Sequence, residues 1–289
     1  MAGDINSQIS LRMLFEGLMR FNKEQKPDFA AADQVTISPD MKTYTFHLRE
    51  SYWTNGERVT AHDFEYAWKK ILSPDFPSVF GYAFYIIKNA KLAKETNLSI
   101  DEVGVKALDD ETLIVELEHP APYFLDLICN PIYSPVLRNL DEIEPDWKRE
   151  IKNFISNGPF QLEAWELRNQ LIFSKNETYW DHKSVKLDEV HIYLVPDDNS
   201  ALKMYELDEI DWIGPPNRLP LDSIPYLKEH HKLHYPNGTK VMWFMVNVNQ
   251  FPYNNVKVRK ALAYALNREA LAEHILQSGD IPLMSILPS

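Results

Sequence analysis

Residues 44–49 alternate strictly. Tyr44, Phe46 and Leu48 fall on one side, and Thr45, His47 and Arg49 on the other. That period of two predicts a half-buried strand. Asn55 and Gly56 follow and predict a tight turn with positive φ. Thr60 and Asp63 stand at capping-box spacing. Beyond them Phe64, Ala67, Trp68, Ile71 and Leu72 line one face of a predicted helix, which Ser73 and Pro74 stop. Upstream, Leu11, Leu14, Phe15 and Leu18 predict a first helix over 10–20, followed by a polar stretch at 22–27. Residues 103–118 read as two strands about Asp109 and Asp110. Asn157, Gly158 and Pro159 precede a predicted hairpin, 160–165 and 171–175, turning at Arg168 and Asn169. Further strands are expected at 191–195, 210–213 and 241–248, with a short helix at 199–207. Asn254 and Asn255 cap a helix whose apolar face is Val258, Ala261, Leu262, Ala265 and Leu266, and Asn267 opens another. This mixture predicts an α/β architecture with interleaved lobes rather than a regular βαβ series.

The chain has 289 residues, enough for more than one domain, and its 35 aromatic side chains (14 Phe, 14 Tyr, 7 Trp) can fill sizeable cores. Its 42 acidic and 30 basic residues give a formal net charge of −12. Such a surface repels phosphate backbones, so no nucleic-acid partner is expected. No apolar run approaches the ~20 residues of a membrane-spanning helix. Phosphate-cradling GxGxxG and GxxxxGK[ST] loops and the GxSxG nucleophile elbow do not occur in the sequence. Cys129 is the single cysteine. It sits between Ile128 and Asn130 in an apolar run and reads as a buried structural thiol. His230, His231 and His234 lie between Pro225 and Pro236 without a carboxylate at HExxH spacing, and read as a solvated turn. The acidic pairs read as turn, cap and surface groups. Neither an enzyme, a metal site nor a cofactor is expected. What remains is a set of aromatics at turns and strand ends: Tyr82, Phe84, Tyr85, Tyr133, Trp212 and Trp243. They suit either a core or a ligand chamber walled by rigid rings.

Residues 44–68 carry Tyr44, Phe46, Leu48, Trp53, Asn55, Gly56, Thr60, Asp63, Phe64 and Trp68 in one uninterrupted pattern. This pattern resembles the signature of the oligopeptide-binding proteins of ABC importers, the family 5 extracellular solute-binding proteins. Four further blocks agree in order: 14–18, 104–110, 157–180 and 251–268. The resemblance implies a periplasmic-binding-protein-like, two-lobed fold of type II with an extra domain II and an incomplete second lobe. Domain I would comprise 1–22 and 138–239, domain II 23–137, and domain III would begin at 240. It implies capture of short peptides for import, docking on ABC permease subunits, and an extracytoplasmic place, periplasmic or lipid-anchored. Relatives of this fold that take nickel complexes, haem or cell-wall peptides keep those ligands open as alternatives, beside a non-transport interaction fragment.

By position, the resemblance places Ile9 and Ser10 against the ligand backbone. Tyr82 or Tyr85 would form the aromatic wall of domain II. Asn130 stands where a His is common. Gly214 stands where relatives have an aromatic, with Trp212 as its substitute, and Trp243 and Met245 lie on a pocket-lining strand. Met245 replaces an acidic residue of some relatives, which implies a more apolar pocket. In the family, members run substantially longer, and the acidic residue that holds the peptide α-ammonium lies beyond the equivalent of Ser289. The chain is therefore expected to be a truncated member with weak or no affinity for free peptides. It is also expected to self-associate through the apolar faces of 241–248 and 258–266, whereas the full-length form would be monomeric.

Overall fold

The computed structural model describes residues 5–96, 98–147, 151–214, 219–233, 241–277, 280–283 and 285. Compactness divides the chain into two units, Met1–Leu194 and Val195–Ser289.

In the first unit, α1 (Ile5–Leu14) leads into the hairpin β1 (Met19–Phe21) and β2 (Pro27–Phe29). The helix is thus shorter at its C-terminal end than the pattern at 10–20 predicts. The reason is competition for its carbonyls. Leu14 O accepts from the N–H groups of Asn157 and Gly158, at 3.2 and 2.8 Å, and Leu18 O accepts from those of Ala30 and Ala32. A continuing helix would need those acceptors for itself. The approach at Leu14 leaves no room for a side chain: a Cβ on Gly158 would stand 2.6 Å from the Leu14 carbonyl carbon.

β3 (Ala32–Ile37), β4 (Thr43–Leu48), α2 (Ala61–Leu72), α3 (Ala90–Glu95), β5 (Val105–Ala107) and β6 (Thr112–Glu116) follow. The sheet is antiparallel in the order β3-β4-β6-β5, and α2 packs on it. The alternation read at 44–49 is realised. Tyr44, Phe46 and Leu48 are buried, and they join Phe64, Trp68 and Leu72 of α2 in one core. Each of these large apolar side chains contributes about 1.5–3 kcal/mol on burial. Gly56 has φ +85°, as its turn requires. At the start of α2 the Asp63 carboxylate accepts from the Thr60 N–H at 2.9 Å. At its end the Lys94 ammonium donates to the carbonyls of Ile71, Ser73 and Phe76.

The short helices α4 (Phe124–Leu127) and α5 (Arg138–Ile143) complete this part. A smaller core then forms where β7 (Phe160–Glu166), β8 (Gln170–Lys175) and β9 (Glu189–Tyr193) meet α1: Leu14, Phe160 and Phe173 are its buried members.

In the second unit, α6 (Asp198–Glu206) is capped by Asp197. It is followed by α7 (Ile224–Glu229), by α8 (Val256–Ala265), capped by Asn255, and by α9 (Arg268–Ala270), capped by Asn267 and running into a π-helical turn at Leu271–Leu276. The strands expected at 210–213 and 241–248 do not form. A strand exists by pairing, and neither segment has a ladder partner among the described residues. Met242, Trp243, Phe244, Met245 and Val248 are exposed instead, and α8 has no buried residue among those described. His234 lies outside the described residues, while His230 and His231 are exposed.

A buried polar joint ties the two ends of the first unit together. Glu16 is only 7% exposed. Its carboxylate accepts from Tyr179 Oη at 2.6 Å and from Trp180 Nε1, and Arg20 reaches it at 3.4 Å. Arg20 also donates to Tyr179 Oη at 3.0 Å and to Asp181 at 3.1 Å. The guanidinium of Arg49, from the end of β4, stacks 3.7 Å from the centre of the Trp180 ring. Asn157 pairs with the Glu16 backbone in both directions, accepting from its N–H at 3.1 Å and donating to its carbonyl at 3.0 Å.

Burial pushes the Glu16 carboxyl above its ordinary value of 4.5. The hydrogen bonds from Tyr179 and Trp180 and the charges of Arg20 and Arg49 act against that rise. A carboxyl raised on folding binds its proton more tightly in the folded state. Its contribution is complete below about pH 4.5 and declines as pH rises through the folded value. The stability margin of the parent over a Glu16→Gln variant is therefore expected to be largest in acid and to shrink toward neutrality. Urea unfolding across pH measures it, and a margin that widens with pH contradicts this account. Asn157→Ala leaves two buried backbone groups unpaired and is expected to cost about 2–4 kcal/mol in the same assay. From the exposed run at 242–248 we expect sedimentation to show concentration-dependent association of the 289-residue chain, relieved by Phe244→Asp with Met245→Asp. A monodisperse monomer at all concentrations would contradict it.

Candidate functional site

A cleft of about 280 Å³ opens beside α1 in the first unit. Arg12 and Phe15 come from the helix and the residue after it, Glu16 and Arg20 from the joint, and Cys129, Asn130 and Ser134 from the turn that α1 packs against. Tyr179, Ser184 and Val185 close the far side. Folding gives each its place for a local reason. Asn130 caps the helical turn Pro131–Tyr133, its Oδ1 accepting from the Ile132 N–H at 3.1 Å. The Cys129 thiol donates to Leu125 O at 3.3 Å, and burial pushes it up to about 12, so it is inert as a nucleophile. Tyr179 is buried, and desolvation together with the neighbouring Glu16 charge raises its hydroxyl far above the usual range; it serves as a donor and not as a base.

A second polar cavity lies at the start of α2, between Arg58, His62, Asp63, Asp110 and Arg138. Its buried carboxylate, Asp63, is committed to the Thr60 and Arg138 N–H groups and the Trp53 indole N–H. Among the described residues no group of three or more His, Cys, Asp or Glu is arranged to hold a metal ion.

The residues singled out from sequence distribute as follows. Ile9 and Ser10 are half-buried on α1, the helix beside the cleft, and Asn130 lines the cleft itself. Tyr82 lies in the turn Gly81–Phe84 and Tyr85 directly follows it. Tyr82 is 65% exposed and Tyr85 half-buried, and neither lines the cleft. This turn is braced from below: Phe84 and Tyr133 lie 4.3 Å apart, and Tyr133 donates to Ala83 O at 2.6 Å. In the second unit Trp212, Trp243 and Met245 are 66, 53 and 85% exposed. The Trp212 indole lies over Gly214, with Cη2 1.9 Å from where a Cβ there would be. The six aromatics thus separate into core residues, Phe84 and Tyr133, and surface residues, Tyr82, Trp212 and Trp243, with Tyr85 between.

Arg12, Arg20, Ser134 and Tyr179, which complete the cleft, are not distinguished by sequence pattern. Glu16 leaves one trace, a lone carboxylate between Phe15 and Leu18 in an otherwise apolar block.

Over its whole length the chain is similar to the oligopeptide-binding protein OppA of Bacillus subtilis (strain 168), at 38% identity, covering 53% of that protein. It is 36% identical to the dipeptide-binding protein DppE of the same organism, covering 94% of this chain and 50% of that one. Among solved structures, OppA of Burkholderia pseudomallei superposes with a TM-score of 0.88 at 28% identity, covering 99% of this chain and 56% of that chain. Haemophilus influenzae OppA in complex with RPPGFSPFR superposes with a TM-score of 0.82 at 27% identity, covering 96% and 54%. The chain spans about half the length of the curated relatives it matches, and its architecture is the mixed α/β one of OppA-type periplasmic binding proteins. Residues 24–289 match the family model described as bacterial extracellular solute-binding proteins, family 5 middle, and the chain belongs to that family of binding components.

Proposed function

We propose that this chain is part of the substrate-binding component of an ABC importer and captures short peptides outside the cytoplasm for delivery to permease subunits. The observation that carries the reading is the exposure of Tyr82, Trp212 and Trp243. Tyr82 stands out on a turn braced by the buried Phe84 and Tyr133, so its ring is presented for contact with little entropy left to lose. Chain-long similarity to oligopeptide- and dipeptide-binding proteins supplies the ligand class.

The mechanism follows from the chemistry of a peptide. An extended backbone presents N–H and C=O groups that pair with protein backbone irrespective of sequence, while aromatic rings supply contact area with little lost rotamer entropy. Ile9 and Ser10 would face the ligand backbone. Tyr82, Tyr85, Asn130, Trp212, Gly214, Trp243 and Met245 would surround its side chains. Residues 1–22 with 138–239, 23–137, and 240 onward would be domains I, II and the start of III.

Titration of the 289-residue chain with tri- to pentapeptides, followed by tryptophan indole NMR signals, tests this. Saturable shifts of Trp212 and Trp243 are expected, at affinities weaker than micromolar, with no response to free sugars. Trp243→Ala is expected to weaken binding about tenfold. Indole signals that never respond to any peptide would overturn the reading.

A further inference from the structure

Three Asn-Gly pairs occur in the chain: Asn55–Gly56, Asn157–Gly158 and Asn237–Gly238, the last outside the described residues. In such a pair the backbone nitrogen after the asparagine can attack its side-chain carbonyl carbon, and a glycine there has no side chain to hinder the approach. The two described pairs lie on adjoining segments. The Thr54 N–H donates to Ser156 O at 2.8 Å, and the Ser156 N–H to Thr54 Oγ1 at 3.1 Å. Their surroundings are nevertheless opposite.

Asn157 is 4% exposed. Its side chain is bonded at both ends to the Glu16 backbone, and the Gly158 N–H is held by Leu14 O at 2.8 Å. Attack there requires the buried joint to open. Asn55, Gly56 and Glu57 are all exposed. The Asn55 amide nitrogen donates to Glu57 Oε1 at 2.7 Å, and the Gly56 N–H to Trp53 O at 2.8 Å. These bonds lie at the surface, where water replaces them and the turn opens without disturbing the core. A further bond of the turn favours the reaction. The Glu57 N–H donates to Asn55 Oδ1 at 3.1 Å, the oxygen that gains negative charge when the carbonyl carbon is attacked.

We propose that Asn55 is a site of spontaneous deamidation and that burial spares Asn157. In the first step the Gly56 nitrogen bonds to Asn55 Cγ. The Cγ–Nδ2 bond breaks, and the amide nitrogen leaves as ammonia, taking the proton from the Gly56 N–H. Water then opens the succinimide. Opening at Cγ gives aspartate at position 55, and opening at the backbone carbonyl gives an isoaspartyl link. No oxidant or reductant takes part. Either product sets a negative charge beside Glu57, whose carboxylate had accepted from the amide. The isoaspartyl link also lengthens the turn by one backbone atom, against the bond from the Trp53 N–H to Glu57 O, 2.8 Å, that closes it.

The test ages the 289-residue chain in mildly alkaline buffer, with and without urea. Peptide mapping by mass spectrometry follows the amide-to-acid mass change at each asparagine, and an Asn55→Asp variant supplies the ion-exchange position of one product. In buffer, Asn55 is expected to convert at least about tenfold faster than Asn157, and in urea the gap is expected to close, because only the cost of opening separates the two sites. An Asn55 that stays intact in buffer overturns the proposal, as does an Asn157 that converts there as fast. A gap that urea leaves unchanged overturns it too, since the difference would then lie in local sequence and not in burial.

Discussion

A carboxylate taken out of water is held in this fold by three side chains at once. Glu16 would be costly alone; with Tyr179, Trp180 and Arg20 on its oxygens and Asn157 on its backbone, it becomes the fixed point of the first unit. The partners come from distant stretches of chain. Their convergence seats the hairpin beginning at Phe160 against α1, and Arg49, just after β4, stacks on the Trp180 ring. The same convergence ends α1, since the backbone N–H groups of Asn157 and Gly158 occupy the carbonyl a longer helix would need. One wall of the cleft is thereby made from the joint itself.

Against this frame the aromatic residues have two different jobs. Trp68, Phe84 and Tyr133 pack edge-on or tilted within 4.3–5.9 Å of each other and stiffen the turn that carries Tyr82. Tyr82 itself projects into solvent. A ring held out on a braced turn has little further entropy to lose on making a contact.

Much of the first unit was legible in the order of residues. Alternation at 44–49, the Asn55–Gly56 turn, the apolar face from Phe64 to Leu72 and the hairpin after Gly158 are local patterns with local causes, and each forms where the pattern places it. The first helix was misjudged in extent because its end is decided by residues some 140 positions away. The segments at 210–213 and 241–248 were misjudged in kind because strand propensity without a neighbouring edge yields no strand. Asn130 lies on the cleft, yet Ser134 and Arg12 look like any serine and any surface arginine until the fold brings them to the same opening.

The closeness of Trp212 to Gly214 has a further consequence. The indole occupies the place where a Cβ at 214 would stand, so any larger residue there first displaces a ring that is 66% exposed and has solvent to swing into. The two positions touch, so the effects of altering them will not sum. Glycine at 214 thus sets where the indole two residues earlier comes to rest, and a side chain added there would redirect the ring while leaving the backbone as it is.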